Sequence, residues 1–254
     1  MAARHAAAGP GARVTEGFIG ILSLDTRFPR IPGDAGHPGS YHRPARVRVV
    51  SGAGPTEIVQ DGRPHPDLVD RFIAAARALE AEGAVLITST CGFLISVQEE
   101  IAAAVRIPVL LSALSLVPLV RVATGGRPVG ILTASAPALG PRSLSAAGID
   151  PAAVRIAGLQ GCPAFAGTFL MPKAAQPTTL DRAAIAAAVT QAAADLVAGA
   201  PSIGALVLEC GNLPPYAEAV RRATGRPVFT LLDGARMLVP SGSAVGLVEV
   251  RQLG

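Results

Sequence analysis

Short uninterrupted apolar runs alternate along this chain with longer stretches in which apolar residues recur every three or four positions. Residues 17–24, 84–88, 109–111, 128–133, 154–159, 205–208 and 228–231 are runs of the first kind, suited to strands buried on both faces. Residues 46–50 alternate and also read as a strand. Residues 66–82 read as an amphipathic helix, with Leu68, Phe72, Ala76 and Leu79 on one face, Pro66 in the first turn and Gly83 at the end. Helical spacing recurs in five further places. Leu94, Val97, Ile101 and Val105 form one inward face, and residues 113–123 form a helix kinked by Pro118. Residues 136–147 end at Gly148, and residues 181–198 turn Ile185, Val189, Ala193 and Leu196 inward with Gly199 as C-cap. Residues 213–223 form a helix that tolerates Pro214 and Pro215 only in its first turn, and the tail reads as a closing helix and strand. Two Pro/Gly-rich stretches, 25–46 and 161–179, are too long for ordinary connectors, and the first reads as a lid or binding loop.

Within this alternation one unit occurs twice. Cys91 and Cys210 each follow a buried-strand run, each is followed by Gly and, two residues on, by Leu, and each precedes helical spacing. Seventeen residues beyond each lies a proline followed by valine, Pro108-Val109 and Pro227-Val228. An internal repeat of strand, Cys-Gly-x-Leu, helix, Pro-Val, strand predicts an α/β protein of two pseudo-symmetric lobes, each a parallel sheet flanked by helices. The expected division is 15–113 plus 231–254 for the first lobe, 114–230 for the second, and a disordered N-terminus over 1–14. Ligands of such sheets sit at the carboxyl ends of strands, so the active site is expected in the cleft between the lobes, where both cysteines lie.

A thiol at a helix N-terminus meets the positive end of the helix dipole and free backbone amides, both of which favour thiolate over the ordinary pKa of about 8.5. Glycine at 92 and 211 lets amides approach a bound carboxylate. Two such sulfurs on opposite sides of one carbon are what stereoinversion requires: a thiolate removes the α-proton and a thiol returns one to the other face. Cys91 and Cys210 are therefore the expected catalytic pair. Expected substrate contacts are Asp25 and Thr26 after the first strand, Thr133 after a later one, and Thr90, Gly92, Phe93, Gly211 and Asn212 around the cysteines; Arg27 and Arg30 are candidate carboxylate clamps. Buried cysteines are ordinarily small hydrophobes, but duplication of the whole motif argues against that reading here, whereas Cys162 lacks the context.

Composition narrows the classes. Apolar residues make up 50% and charged residues 16% of the 254, which suits a globular α/β protein. The net charge of +4 comes from scattered arginines, with no basic arm and few aromatics, so nucleic acid is not an expected partner. Lys173, the only lysine, lies in a Pro-flanked loop unsuited to a pyridoxal Schiff base, and no cofactor is expected. All four histidines precede residue 66 with no zinc spacing, so no metal is expected. Three distant cysteines predict no disulfide framework and suit a reducing, cytoplasmic setting. The seven-residue run 18–24 is too short to span a membrane, and no membrane partner is expected.

At Thr88-Ser89-Thr90-Cys91-Gly92-Phe93 and Leu208-Glu209-Cys210-Gly211-Asn212-Leu213-Pro214-Pro215-Tyr216 the chain resembles the aspartate/glutamate/hydantoin racemase superfamily, which also includes maleate isomerases and arylmalonate decarboxylases. The stretch from Leu24-Asp25-Thr26-Arg27-Phe28-Pro29-Arg30 to Asp34 resembles a poorly characterised subgroup of it. The resemblance, which runs from residue 17 to about 238, implies the two-lobed fold, Cys91 and Cys210 as the bases, and frequent homodimers. It implies an isomerase: a cofactor-independent racemase or epimerase acting next to a carboxylate or carbonyl of an amino-acid-like substrate. Gly92-Phe93 stands where acidic amino-acid racemases carry Asn-Thr, which implies a less polar pocket. A maleate-type cis–trans isomerase with a nucleophilic cysteine is the alternative on the same fold, and a non-catalytic small-molecule binding protein is a third reading.

Overall fold

The computed structural model describes residues 17–240, so the disordered segment expected over 1–14 and the closing strand expected in the tail lie outside the described residues. Among the described residues, eight strands form two four-stranded parallel sheets. The first contains β1 (Phe18–Leu24), β2 (Ala45–Val50), β3 (Ala84–Ser89) and β4 (Val109–Leu110) in the order β2-β1-β3-β4. The second contains β5 (Val129–Thr133), β6 (Val154–Gly158), β7 (Ala205–Leu208) and β8 (Val228–Phe229) in the order β6-β5-β7-β8. The orders are the same with four added to each number, so the repeat seen around the cysteines extends to whole sheets. The central strands β1, β5 and β7 are buried along their entire length, as their continuous apolar runs require. The duplicated prolines play one role: Pro108 and Pro227 accept hydrogen bonds from Ile87 and Leu206, each four residues before its cysteine.

Helix Pro66–Ala81 covers the first sheet with Leu68, Phe72, Ala76 and Leu79 buried, and Arg182–Gly199 covers the second with Ile185, Val189 and Ala193 buried; Leu196 is only partly buried. Gly199 is the last helical residue of the latter, and Ala200 is its C-cap. The helices that follow β4 and β8 cross over. Val117–Ala123 packs on β5 and β7, whereas Leu231–Leu238 packs back on β3 and β4. Pro118 sits in the first turn of Val117–Ala123 and separates it from the tighter turn Ala113–Leu116, so the expected kink is a change of helix type. Among the described residues no helix is long and apolar enough to cross a membrane.

Three expectations are corrected. The helix expected over 136–147 is confined to Pro141–Ala146, because Gly140 precedes a proline and is pushed into extended backbone. The loop expected over 161–179 contains helix Pro163–Phe169, which buries Phe165 and Phe169 one turn apart. Neither cysteine opens directly into an α-helix. Cys91 leads into a 3₁₀ segment, Gly92–Val97, before helix Gln98–Ala103, and Val105 lies beyond that helix; Cys210 precedes the 3₁₀ turn Pro214–Tyr216 and helix Ala217–Thr224.

Phe72 is fully buried between its helix and the first sheet. Truncation to alanine, Phe72→Ala, is expected to lower unfolding stability by about 3–5 kcal/mol, read as a reduced urea midpoint with an unchanged slope.

Candidate active site

The ends of β3 and β7 are built alike. Thr90 N–H donates to the Leu22 carbonyl at 3.1 Å and Glu209 N–H to the Leu132 carbonyl at 2.8 Å, continuing each sheet by one rung. The side chain of each then receives the amide two residues further along the central strand: Leu24 N–H to Thr90 Oγ1 at 3.0 Å, and Ala134 N–H to the Glu209 carboxylate. Cys91 and Cys210 follow at matched positions. The glycines after them lie where the halves touch. A Cβ on Gly92 would stand 2.5 Å from the Glu209 carbonyl oxygen, and a Cβ on Gly211 2.4 Å from that of Thr90. Glycine at these positions lets the lobes close on each other, a role additional to the anion approach expected of it.

Both thiols line one cavity of about 20 Å³, space for roughly one water. Thr26, Thr90, Gly92, Phe93 and Asn212 line it as well, as do Phe28, Arg30, Phe169 and Glu209. Three residues expected to contact substrate lie elsewhere. Asp25 pairs with Lys173 and accepts the Gly52 amide; Gly211 lies against Thr90; Thr133 is fully buried and donates to Glu209 Oε2 at 2.8 Å. Of the two candidate clamps, Arg30 faces the cavity, whereas Arg27 is exposed and donates to the Ala174 carbonyl.

The long loop after β1 straps the first lobe over Cys210. Ala35 N–H donates to the Gly211 carbonyl at 2.9 Å, and Cys210 Sγ donates to Asn212 Oδ1 at 3.5 Å. Asn212 in turn donates to Asp34 Oδ2 at 2.8 Å, and Asp34 Oδ1 accepts from Arg30 at 3.1 Å. Arg30 also donates to Thr26 Oγ1 at 3.3 Å and lies 4.7 Å over the Phe28 ring. From the second lobe, Gln176 accepts the Arg27 amide at 2.8 Å, Lys173 pairs with Asp25, and Phe169 meets Phe28 edge to face at 4.8 Å. These contacts close the cavity. The Lys173 ammonium, helped by the Gly52 amide, holds the Asp25 carboxyl below its usual range.

The expectation of a standing thiolate is overturned. Burial, reinforced by the Glu209 charge, pushes the Cys91 thiol up to about 12 and the Cys210 thiol well above its ordinary value. The amides of Phe93 and Asn212 do favour each sulfur anion, but burial outweighs them, and a 3₁₀ turn supplies little of an α-helix dipole. Glu209, which the sequence reading passed over, is 2% exposed. Its Oε1 has no hydrogen-bond partner among the described residues, and burial raises its pKa from 4.5 to about 7 against the opposing bonds from Thr133 and Ala134.

The chain is 31% identical over 239 residues to a dimethylsulfoniopropionate lyase from Durusdinium sp. clade D, an alignment covering 91% of this chain and 77% of the relative. The chain belongs to the dimethylsulfoniopropionate lyase family. Dimethylsulfoniopropionate lyase 7 of Emiliania huxleyi is 34% identical over 221 residues, covering 83% of this chain but 63% of that longer relative. No protein-family model matches. Among solved structures, the Gly74Cys mutant of arylmalonate decarboxylase superposes with a TM-score of 0.58 at 17% identity, covering 89% of this chain and 94% of that one. Allantoin racemase from Pseudomonas fluorescens gives 0.52 at 14% identity, covering 87% and 88%. The fold is therefore shared with arylmalonate decarboxylase and allantoin racemase, as the sequence resemblance implies, and the protein is an enzyme of this fold. The relatives' names place them among lyases, a different class from the isomerase expected above.

Two outcomes follow from this geometry. Gly211→Ala drives a methyl into a backbone carbonyl that cannot rotate away, and is expected to cost about 1–3 kcal/mol in urea unfolding and to disrupt the cavity. The carboxyl of Glu209 is more basic folded than unfolded, so its contribution to stability is full below pH 4.5 and is lost as pH rises through about 7. Glu209→Gln should accordingly gain on the wild type between pH 5 and pH 8, by up to about 3 kcal/mol, in urea titrations run at both pH values.

Proposed function

We propose that this protein removes the α-proton of a short carboxylate with a cysteine base and completes the reaction by β-elimination, with dimethylsulfoniopropionate as the leading candidate substrate. The observation that carries the reading is the paired Cys91 and Cys210 on one closed, largely apolar cavity, in a chain of this lyase family. Arg30, fixed by Asp34 and Thr26, offers its guanidinium to the substrate carboxylate, where charge builds as the α-proton departs. Phe28 and Phe169 supply apolar and aromatic surface suited to a sulfonium group. The thiolate takes the α-proton, that electron pair forms the Cα–Cβ double bond, and the Cβ–S bond breaks. Dimethyl sulfide and acrylate leave, and the thiol holds the proton.

Racemisation by the same pair is the second reading, favoured by the matched placement of the two thiols: the second sulfur would return a proton to the carbanion before a leaving group departs. The strap and the Lys173–Asp25 clasp must part for either substrate to enter a cavity of about 20 Å³.

The discriminating assay offers dimethylsulfoniopropionate and, separately, chiral α-substituted acids in deuterium oxide. Headspace dimethyl sulfide matched by acrylate in proton NMR is the expected result, with Cys91→Ala and Cys210→Ala each losing about 100-fold or more in kcat. Deuterium incorporation with inversion of a chiral acid and no sulfide release would move the protein to the racemase reading. Full activity in both single-cysteine variants would remove the thiols from the chemistry.

A further inference from the structure

Thr90 and Glu209 occupy the same place in the two halves. Each extends its sheet by one rung, each accepts the central-strand amide with its side chain, and each precedes a cysteine. Thr90 shows that one hydroxyl oxygen meets the scaffold's need. Glu209 brings a second oxygen, Oε1, that has no hydrogen-bond partner among the described residues, to a spot beside Gly92 and on the wall that Cys91 and Cys210 share. An unpaired carboxylate oxygen is costly in such a site, and the hydroxyl of Thr90 serves the matching place without one.

We propose that Glu209 is the proton acceptor for the paired thiols. Its carboxylate takes the S–H proton of a cysteine, directly or through the single water the cavity can hold, and leaves a thiolate without adding net charge to the buried site. This inference deepens the lyase reading and rests on it for its role in turnover. Racemisation returns every proton it removes. Elimination from a sulfonium carboxylate does not: neutral sulfide and a carboxylate leave, and one proton per turnover remains in the pocket. After the thiolate has taken the α-proton, Glu209 holds that surplus as a carboxylic acid and loses it to water when the strap opens. Protonating Glu209 also removes the negative charge that opposes ionisation of both sulfurs, so transfer of the proton eases formation of the base. The other charged groups around the thiols are Arg30, which favours the Cys91 anion, and Asp34, which opposes that of Cys210. Thr133 donates to Oε2 and holds the carboxyl near the range where both its forms are populated, about 7. Glu209 acts through the sulfurs and is in that sense a positioning residue.

Two measurements test this, one needing no substrate. Alkylation of Cys91 and Cys210 by iodoacetamide, followed by mass spectrometry across pH 5–10, should show a first step at the Glu209 midpoint and a second at higher pH. Glu209→Gln should show the high-pH step alone. A single step in both proteins would overturn the proposal whatever the substrate proves to be. In turnover of dimethylsulfoniopropionate, kcat should rise with pH along a limb set by Glu209. Glu209→Gln should flatten that limb and lower kcat at least tenfold with KM little changed, Glu209→Asp should restore part of it, and Thr133→Val should move it to higher pH. An unchanged limb in Glu209→Gln would defeat the proposal. A two-step alkylation profile without sulfide release would uphold the proton acceptor and count against the lyase reading instead.

Discussion

The site exists because two backbones can touch. At the centre of the molecule the α-carbons of Gly92 and Gly211 each lie against the carbonyl that precedes the opposite cysteine, and no side chain fits between them. Everything that brings chemistry to the cleft is measured from that contact: the thiols one residue away, the carboxylate of Glu209 beside one glycine, and the strap that bonds to the carbonyl of the other. Because the contact is reciprocal, the two half-sites are held in a fixed relation, and differences between them fall on side chains rather than on backbone.

Those differences decide the electrostatics. Burial dominates, as it does for any anion moved out of water, and it works against both sulfurs and against Glu209. The polar groups that oppose it are few and directed: two amides aimed at the sulfurs, one hydroxyl at the carboxylate, and the Arg30 guanidinium near Cys91, whereas Asp34, which ties the strap to Asn212, works with burial against the Cys210 anion. A cavity so small and buried gives each of these groups a larger effect than it would have in water.

Much of this was legible in the sequence, and the boundary is physical. The repeat around Cys91 and Cys210 is written in neighbours along the chain, so strand, cysteine, glycine and proline could be matched by eye, whereas the order of strands within each sheet comes from the structure alone. Helix Pro66–Ala81 was legible because its buried face is periodic over four turns. What spacing could not convey was contact between distant segments. Glu209 looks like a strand-end residue until Thr133, 76 residues earlier in sequence, is seen donating to it. Arg30 and Arg27 are indistinguishable in composition, and only the closing of the strap turns one inward. The one signal available was the oddity of a carboxylate at the end of an otherwise apolar run, Ala205-Leu206-Val207-Leu208-Glu209, a position the first half gives to Thr90.

The crossed helices carry a consequence for how the molecule holds together. Val117–Ala123 belongs by chain order to the end of the first sheet but lies on the second, and Leu231–Leu238 makes the reverse exchange. Cutting the chain between Ala123 and Val129 would strip each fragment of a layer that the other carries, exposing apolar surface on both. The halves are thus interlocked like clasped hands, and denaturation should melt them as one cooperative unit, so the mobility needed for substrate entry must come from the peripheral strap and not from a hinge between independently folding bodies.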